Sequence, residues 1–548
     1  MSLLDCQKRA LRLLMIFSCC FLLLGARLFC LQLLRSENLS LQAVRQRFQS
    51  AMLYDGRGDI QDRFGRSLLG GRQRLSLLAF PTHYRGCEEE IIRSFASLQG
   101  IDKIAAPPHE TLPFWLDSDL NELQLAAASS YPGLLAAIRK ERYGPGALAS
   151  HLVGYMNESE GTGVSGIELA FDHTLSCGQQ KIIGAVVDGR NRLISGLGYR
   201  KKEERLSPKN VLLSLDLDLQ REVEKIMDRR IRKGAVVVID PANGDILAMA
   251  SRPNFKAAEL ASYLKETNGA LINRALCAYQ PGSVFKVVVA AAALEEGLAS
   301  LFQIFHCPGG VTVDGLYFPC SNLHLKEEIT FVEAFAHSCN SVFINLALEL
   351  GPEKIAAYAR RFGLGECCGL PLAEEEAGYI PLPEELFSRR AQANSAIGQG
   401  EVMVTPLQAA AMMAALANGG QKVQPRLVLG LTDRQGRDTA RFWARRGSRI
   451  LSPATVNKLK YLLQEVVARG TAQQAARTQS PAAAKTGTAE SGRYGSDGRQ
   501  ILNYWIAGFY PLENARAAVA VFADELKEGT VKQVFGEIIY YLENKPLH

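Results

Sequence analysis

The tripeptide Gln280-Pro281-Gly282 is typical of a turn, and Ser283-Val284-Phe285-Lys286 and an apolar run over 287–294 follow it. A turn followed by a continuous apolar run predicts a buried helix. On such a helix Ser283 and Lys286 are three residues apart, so their side chains share one face. A hydroxyl needs a neighbouring base to act as a nucleophile, and burial favours the neutral amine that can serve as that base. The segment therefore predicts a serine nucleophile at a helix N-terminus, where backbone N–H groups lack partners.

Ser283 also fits an ordinary helix N-cap, which is the alternative for a serine at this position. That interpretation leaves Lys286 unexplained, because a lysine at the start of a fully apolar helix costs desolvation unless it has a partner. The chain contains a second S-x-x-K pattern at 262–265, but Glu-Thr-Asn-Gly follows it, which is typical of a turn.

Two further short motifs follow in the chain, Ser338-Cys339-Asn340 and Lys485-Thr486-Gly487-Thr488. We interpret 485–488 as a strand that lines the same site, because Lys485 supplies positive charge and Thr488 can donate to a carboxylate or an oxyanion. Gly487 would let a ligand backbone approach, since it has no Cβ. An edge strand with polar residues on its solvent face is the alternative for this motif alone. Together the three motifs predict a covalent acylation site.

The set S-x-x-K, S-x-N and K-T-G resembles that of the class B penicillin-binding proteins, which are peptidoglycan D,D-transpeptidases of the division and sporulation type. Stretches outside the motifs extend this resemblance. They are 57–63, 150–155, 163–168, 234–241, 244–249, 398–400, 405–408 and 417–420.

The resemblance implies roles for the residues of all three motifs: catalysis by Ser283, Lys286, Ser338, Asn340 and Lys485, and substrate binding by Thr486, Gly487 and Thr488. Ser283 would attack the carbonyl between two D-alanines of a stem peptide, and Ser338 would relay a proton to the leaving amine. Asn340 would hold the substrate backbone, and Thr488 would bind its terminal carboxylate. The N–H groups of Ser283 and Thr488 would form the oxyanion hole. The family also implies acylation by β-lactams and no metal or other cofactor.

The implied fold is α+β in three parts, and 548 residues are too many for a single core. Residues 1–35 would be a cytoplasmic tail and transmembrane anchor, and 36–205 an elongated mixed α/β pedestal or dimerisation domain. Residues 206–548 would form a β-lactamase-like transpeptidase domain, an antiparallel sheet flanked by helices that closes with a helix over 531–543. The charge run 201–205 is interpreted as a solvated linker.

The apolar stretch 13–34 is about long enough to span a bilayer. Lys8, Arg9 and Arg12 precede it, which places the N-terminus in the cytoplasm and the bulk of the chain outside it. A cleaved signal peptide is the alternative, but no small-x-small cleavage site is present. We therefore expect a single-pass cell-membrane protein.

The net charge of +6 is small for this length, and the chain has no basic run with interleaved aromatic residues, which argues against a nucleic-acid partner. Stem peptides and β-lactams are the expected ligands. Because the resemblance includes no glycan-polymerising domain, a partner glycan polymerase is expected.

Cys307 and Cys320 flank a predicted hairpin, 311–318, whose turn is Asp-Gly. A hairpin would bring the two cysteines close as a disulfide or an unpaired thiol pair, and the neighbouring His306 and His324 make a metal site an alternative. Cys339 is interpreted as a small packed residue.

Other functions share parts of this pattern. A D,D-carboxypeptidase has the same three motifs, and a β-lactamase needs in addition a base that clears the acyl-enzyme. The non-enzymatic alternatives are a membrane-tethered β-lactam sensor and a scaffold of the wall machinery. The motifs alone do not separate division, elongation and spore-wall roles.

Overall fold

The structure is a computed structural model that describes all residues outside the following ranges: 1–2, 35–47, 55, 82, 85, 87, 97–112, 117–120, 129–130, 132, 158–160, 177–179, 187–198, 205–207, 266–267, 321–326, 387, 495–497, 499, 525–528 and 546–548. His324 lies outside the described residues.

The strands are, in chain order, β1 (Phe48–Tyr54), β2 (Ile60–Gln61), β3 (Arg72–Ala79), β4 (Phe114–Leu116), β5 (Leu134–Glu141), β6 (Met156–Asn157), β7 (Thr162–Gly163), β8 (Gln180–Val186), β9 (Tyr199–Glu204), β10 (Asn210–Leu213), β11 (Gly234–Ile239), β12 (Ile246–Arg252), β13 (Ile304–His306), β14 (Gly310–Val313), β15 (Leu316–Pro319), β16 (Glu328–Thr330), β17 (Gln421–Val423), β18 (Val428–Thr432), β19 (Asp438–Arg441), β20 (Arg446–Arg449), β21 (Ala483–Tyr494), β22 (Gln500–Tyr510) and β23 (Ala517–Asp524).

The α-helices are α1 (Leu3–Phe29), α2 (Glu88–Ser94), α3 (Glu122–Ala128), α4 (Ser150–Val153), α5 (Gly166–Ala170), α6 (Asp172–Ser176), α7 (Leu217–Arg230), α8 (Leu260–Tyr263), α9 (Lys286–Glu295), α10 (Phe331–Ala336), α11 (Asn340–Leu350), α12 (Pro352–Arg361), α13 (Arg389–Ala396), α14 (Pro406–Ala417), α15 (Pro453–Ala468) and α16 (Thr530–Asn544). A π-helical segment, Cys30–Leu34, continues α1, and short 3₁₀ turns cover Ala257–Glu259, Gly282–Phe285, Pro383–Glu385 and Gln473–Ala475.

The chain forms two compact units. The smaller contains Met1–Gly56, Gln73–Glu141 and Gln179–Leu206, and the larger contains Arg57–Arg72, Arg142–Gly178 and Ser207–His548. The range 36–205, predicted as the pedestal domain, contributes segments to both units. One reason is that β2 pairs in parallel with β10, which brings the segment around Ile60 into the larger unit.

The smaller unit contains two three-stranded sheets, with strand orders β1-β8-β9 and β4-β3-β5. Strand β9 pairs antiparallel with β8 over Tyr199–Glu204, so the interpretation of 201–204 as a solvated linker is wrong. A continuous run of charged side chains can still pair through its backbone, which the charge pattern alone does not indicate. The apolar helix α1 also belongs to this unit.

The larger unit is built on an antiparallel five-stranded sheet of order β12-β11-β23-β22-β21. The stretches 234–241 and 244–249 form a hairpin at one end of this order: β11 pairs with β12, with Val237 opposite Met249, and on its other side with β23. Strand β11 is buried along its whole length, which explains its unbroken apolar sequence. The α+β class with helices flanking an antiparallel sheet is confirmed.

Helices α14, α15 and α16 contact this sheet, and α9 lies buried in the same unit. Helix α14 is buried at every position and contacts β11, β22 and β23. Its start is fixed by a capping box, in which Thr405 and Gln408 exchange side-chain to backbone hydrogen bonds, and by Pro406 in the first turn. Helix α16 covers 530–544, so the predicted closing helix is confirmed, and α9 is buried from Lys286 to Leu294.

Candidate active site

The predicted nucleophile lies on a tight turn just before α9. Residues Gly282–Phe285 form a 3₁₀ turn, and α9 begins at Lys286. Gly282 has φ +55°, and a Cβ at this position would lie 2.4 Å from the carbonyl oxygen of Thr488, so only glycine fits. The turn is also tied by a 2.9 Å hydrogen bond from the Gly282 N–H to the Gly398 carbonyl. Ser283 is thereby held at a partly exposed position beside the K-T-G strand.

The amine of Lys286 is fully buried and reaches the S-x-N motif. Its Nζ donates to the Ser338 carbonyl at 2.7 Å and to Asn340 Oδ1 at 2.7 Å, and it lies 3.1 Å from Ser338 Oγ. Among the hydrogen bonds of the described residues, none involves the Ser283 hydroxyl. The predicted contact between Ser283 and Lys286 is thus not a hydrogen bond in this structure, since the flexible lysine stem directs its amine across the cleft to Ser338.

Ser338 stands between two buried amines. Lys485 Nζ donates to Ser338 Oγ at 3.0 Å, in addition to the contact that Lys286 makes with the same oxygen. Lys485 Nζ also donates to the Thr486 carbonyl at 3.1 Å. Ser338 is buried and has φ +61°, a left-handed conformation that is uncommon for a residue with a Cβ. One hydroxyl therefore bridges the lysines of the first and third motifs.

Burial changes the protonation of both lysines. Desolvation lowers the pKa of Lys286 to about 7, because the charged amine loses its water shell. Desolvation and then the nearby charge of Lys286 hold the pKa of Lys485 well below its ordinary value. Aromatic rings complete the enclosure: Phe343 lies 5.7 Å from the amine of Lys286 and Phe335 lies 5.8 Å from that of Lys485. Two amines this close and this dry disfavour the doubly protonated state.

The K-T-G motif lies on β21, the last strand in the order of the five-stranded sheet. Lys485 is opposite Ala507, and Thr488 is opposite Tyr504 and exposed. A Cβ on Gly487 would lie 2.4 Å from the Pro281 carbonyl oxygen. The absence of a Cβ at Gly487 therefore makes room for the protein's own turn before Ser283, and its role in substrate binding stays a prediction.

Asn340 is the first residue of α11 and is only partly buried. Its Oδ1 accepts from Lys286, and its Nδ2 donates to the Pro319 carbonyl at 2.7 Å. Pro319 ends the hairpin of β14 and β15, which pair through Val311 and Phe318 as predicted from the sequence. Asn340 therefore joins this hairpin to the lysine of the first motif.

Thr471 is a site residue that the sequence interpretation missed. Its Oγ1 lies 2.6 Å from Thr486 Oγ1, and its N–H donates to the Ala336 carbonyl two residues before Ser338. Thr471 thus ties the K-T-G strand to the segment that carries Ser338. No local sequence signal marks this residue, because the contact exists only once α10 and β21 are brought together.

Three buried cysteines lie next to the S-x-N motif. The Sγ atoms are 3.6 Å apart for Cys307 and Cys320, 3.7 Å for Cys320 and Cys339, and 3.4 Å for Cys339 and Cys307. The predicted pair is present as unbonded thiols, because a disulfide has its sulfur atoms about 2.05 Å apart. A hydrogen bond from the Cys339 thiol lowers the pKa of Cys320 to about 5. In the described part of the chain, these thiols are the side chains grouped closely enough to hold a metal ion.

A model of the penicillin binding protein transpeptidase domain matches residues 234–540, which include all three motifs. The chain belongs to the penicillin-binding protein transpeptidase family. The predicted resemblance to class B penicillin-binding proteins of the division and sporulation type is confirmed.

Relatives of this penicillin-binding protein cover different shares of its length. It is 28% identical over 558 aligned residues to Stage V sporulation protein D of Bacillus subtilis, which covers 96% of this chain and 83% of the relative. It is 32% identical to Peptidoglycan D,D-transpeptidase PbpA of Mycolicibacterium smegmatis, over 54% of this chain and 62% of the relative. Among solved structures, the D,D-transpeptidase domain of a peptidoglycan glycosyltransferase from Eggerthella lenta has TM-score 0.65 and 25% identity, covering 90% of this chain and 99% of that one.

This penicillin-binding protein is membrane-anchored. Within the described residues, one helical stretch, Leu13–Gln32 with mean hydropathy 2.3, is long and apolar enough to cross a membrane. Its side chains are exposed, as expected for a segment that contacts lipid.

Proposed function

We propose that the chain cross-links peptidoglycan stem peptides by serine-type D,D-transpeptidation, with Ser283 as the nucleophile that forms the acyl-enzyme. The observation that carries the proposal is the Ser338 hydroxyl held 3.1 Å and 3.0 Å from two buried lysine amines, beside the turn of Ser283. The relative from Mycolicibacterium smegmatis is named as a peptidoglycan D,D-transpeptidase, which supports the same reaction here.

In the first half-reaction, Ser283 Oγ attacks the carbonyl between two D-alanines, and its proton passes to Lys286. Because burial lowers the pKa of Lys286 to about 7, a substantial fraction of this lysine is a neutral base near neutral pH. As the amide bond breaks, Ser338 Oγ passes a proton from the lysine pair to the leaving D-alanine amine. The hydroxyl suits this relay because Oγ accepts from the lysine amines and can donate its own proton to the leaving amine.

Two backbone N–H groups would hold the developing oxyanion. Ser283 lies in the first turn of a helix, so its N–H has no partner within that helix. Thr488 lies across the cleft, with its carbonyl against Gly282. Donors fixed in a buried cleft stabilise a tetrahedral intermediate by several kcal/mol.

The substrate would lie along the outer edge of β21, the end strand of its sheet, and extend the sheet by one strand. The exposed side chain of Thr488 is placed to bind the terminal carboxylate. After D-alanine leaves, the amine of a second stem peptide attacks the acyl carbonyl and Lys286 takes its proton. The ester bond to Ser283 then breaks, the proton returns from Lys286 to Ser283 Oγ, and the cross-linked peptide is released.

β-Lactams would enter the same reaction, since their strained amide presents a carbonyl and a carboxylate in the same relative positions as the D-Ala-D-Ala terminus. In the described part of the chain, the hydrogen bonds of Lys286, Ser338 and Lys485 involve no carboxylate. A β-lactamase uses a base to activate the water that clears the acyl-enzyme, so this arrangement favours a long-lived adduct over hydrolysis.

The anchor and the reaction together support a topology in which α1 crosses the membrane once and the larger unit faces peptidoglycan, outside the cytoplasm. Lys8, Arg9 and Arg12 before the apolar stretch favour a cytoplasmic N-terminus. A partner glycan polymerase would supply the strands that are cross-linked. Accessibility of a single cysteine added after the anchor to a membrane-impermeant thiol reagent tests the topology.

Labelling of the purified chain with a fluorescent penicillin tests the reaction. We expect one stable adduct, mapped by peptide mass to Ser283, and none in Ser283→Ala. The second Ser-x-x-Lys pattern offers a matched control, because Ser262→Ala should label normally. Rapid release of hydrolysed penicillin would instead identify a β-lactamase, and a folded protein that never labels would identify a scaffold.

A further inference from the structure

The three cysteines beside the S-x-N motif come from separate parts of the chain. Cys307 precedes the hairpin of β14 and β15, Cys320 follows it, and Cys339 lies between Ser338 and Asn340. All three are buried, with 1%, 7% and 0% of their surface exposed. The hairpin stem and the S-x-N turn therefore meet at a point lined by three thiol sulfur atoms.

The spacing of the sulfur atoms fits metal coordination. A zinc ion binds thiolates at about 2.3 Å, so two sulfur ligands of a tetrahedral site lie about 3.8 Å apart. The observed separations of 3.4, 3.6 and 3.7 Å form a triangle close to one face of such a tetrahedron. Without zinc, thiol hydrogen bonds join the three sulfur atoms. We therefore expect these atoms to lie slightly closer together than in the metal-bound site.

The backbone around the triangle is already fixed, which reduces the cost of assembling a site. The Cys307 N–H donates to the Glu327 carbonyl at 2.7 Å and the Cys320 N–H donates to the Gly309 carbonyl at 2.9 Å. The Cys339 N–H donates to the Ala334 carbonyl at 2.8 Å. Preorganised ligands bind a metal ion more tightly than ligands that must be ordered.

We propose that Cys307, Cys320 and Cys339 form a structural site for a thiophilic divalent cation, with Zn²⁺ as the ion that the sulfur spacing favours. Water or a small solute ligand would complete the tetrahedron. Three thiolate ligands select a soft or borderline ion over Mg²⁺ or Ca²⁺. The bound ion would fasten the hairpin stem to the turn of Ser338, and the proposal does not depend on the reaction proposed above.

Metal analysis of the detergent-solubilised full chain tests the site. The chain is reduced, stripped with a chelator, equilibrated with zinc chloride and freed of excess ion. We expect about one zinc per chain and at least tenfold weaker binding in Cys307→Ser and Cys320→Ser. The exposed Cys367 provides a matched control, so Cys367→Ser should bind zinc like the parent chain. Zinc should also raise the thermal midpoint of the parent chain and of this control.

Two measurements on the unmodified chain keep the proposal testable if the variants fail to fold. X-ray absorption at the zinc edge should show three sulfur neighbours at about 2.3 Å, and Co²⁺ in place of zinc should give a thiolate charge-transfer band. Each of four results would overturn the proposal. They are a zinc shell of oxygen and nitrogen alone, equal zinc in all variants, no zinc in the reduced chain, and a disulfide between two of the three cysteines in the chain purified without reductant.

Discussion

The two serines of the active site occupy opposite environments. Ser283 is partly exposed on a 3₁₀ turn, and its hydroxyl takes part in none of the hydrogen bonds of the described residues, whereas Ser338 is buried and its hydroxyl contacts two amines. The left-handed backbone needed by the first turn is supplied by Gly282, while the second turn places Ser338 itself at φ +61°. An accessible, uncommitted hydroxyl suits a nucleophile, and a fixed, doubly contacted hydroxyl suits a proton relay.

Among changes that leave the nucleophile in place, the largest effect should come from removing the buried hydroxyl. In Ser338→Ala we expect the second-order rate constant for β-lactam acylation to fall by about 100-fold to 10 000-fold, the usual contribution of proton transfer by a positioned group. Stopped-flow labelling measures it. The adduct should still form on Ser283, which distinguishes relay from nucleophile. Ser338→Ala that acylates at the parental rate would remove Ser338 from the mechanism.

The pH profile should separate the base from an ordinary lysine. Because the pKa of Lys286 lies at about 7, the reactive neutral amine is lost as pH falls below that value. Acylation should therefore drop about tenfold per pH unit below about 7 and level off above it. Lys286→Arg, which cannot deprotonate in this range, should acylate slowly and without this rise. A midpoint near 10 would contradict the proposed role of burial.

Backbone strain at Ser338 gives a smaller effect, on stability. Ser338→Gly and Ser338→Ala both lack the hydroxyl, but only glycine adopts φ +61° freely. We expect the free energy of unfolding of the glycine variant to exceed that of the alanine variant by about 1 to 2 kcal/mol. Thermal melts of the two variants in the same detergent give the comparison. Equal stabilities would mean that the turn relaxes once the hydroxyl is lost.

The smallest effect should come from Thr471, which positions the K-T-G strand without touching the relay. Thr471→Val removes its hydrogen bond to Thr486, worth about 1 kcal/mol, so acylation should slow several-fold. Thr471→Ser should restore the parental rate. Parental activity in Thr471→Val together with a loss in Thr471→Ser would indicate a packing role for the methyl group instead of the hydrogen bond.

The sequence predicted the parts of this site that are encoded locally. The turn before Ser283, the buried helix after it, the hairpin over 311–318 and the K-T-G strand each follow from a short run of residue types. It did not predict what the lysine amines reach, because the contacts of Lys286 with Ser338 and Asn340 span more than fifty residues of chain. Gly487 illustrates the same limit, since its neighbour, Pro281, is identified only by the packing of two distant segments.

The end position of β21 in its sheet has a kinetic consequence. One strand edge beside Ser283 can pair with one extended peptide at a time. The donor must therefore surrender its terminal residue before the acceptor docks, which predicts ping-pong kinetics with parallel double-reciprocal lines. Crowding by acceptor peptides should then inhibit turnover by occupying the edge before any acyl group has been loaded.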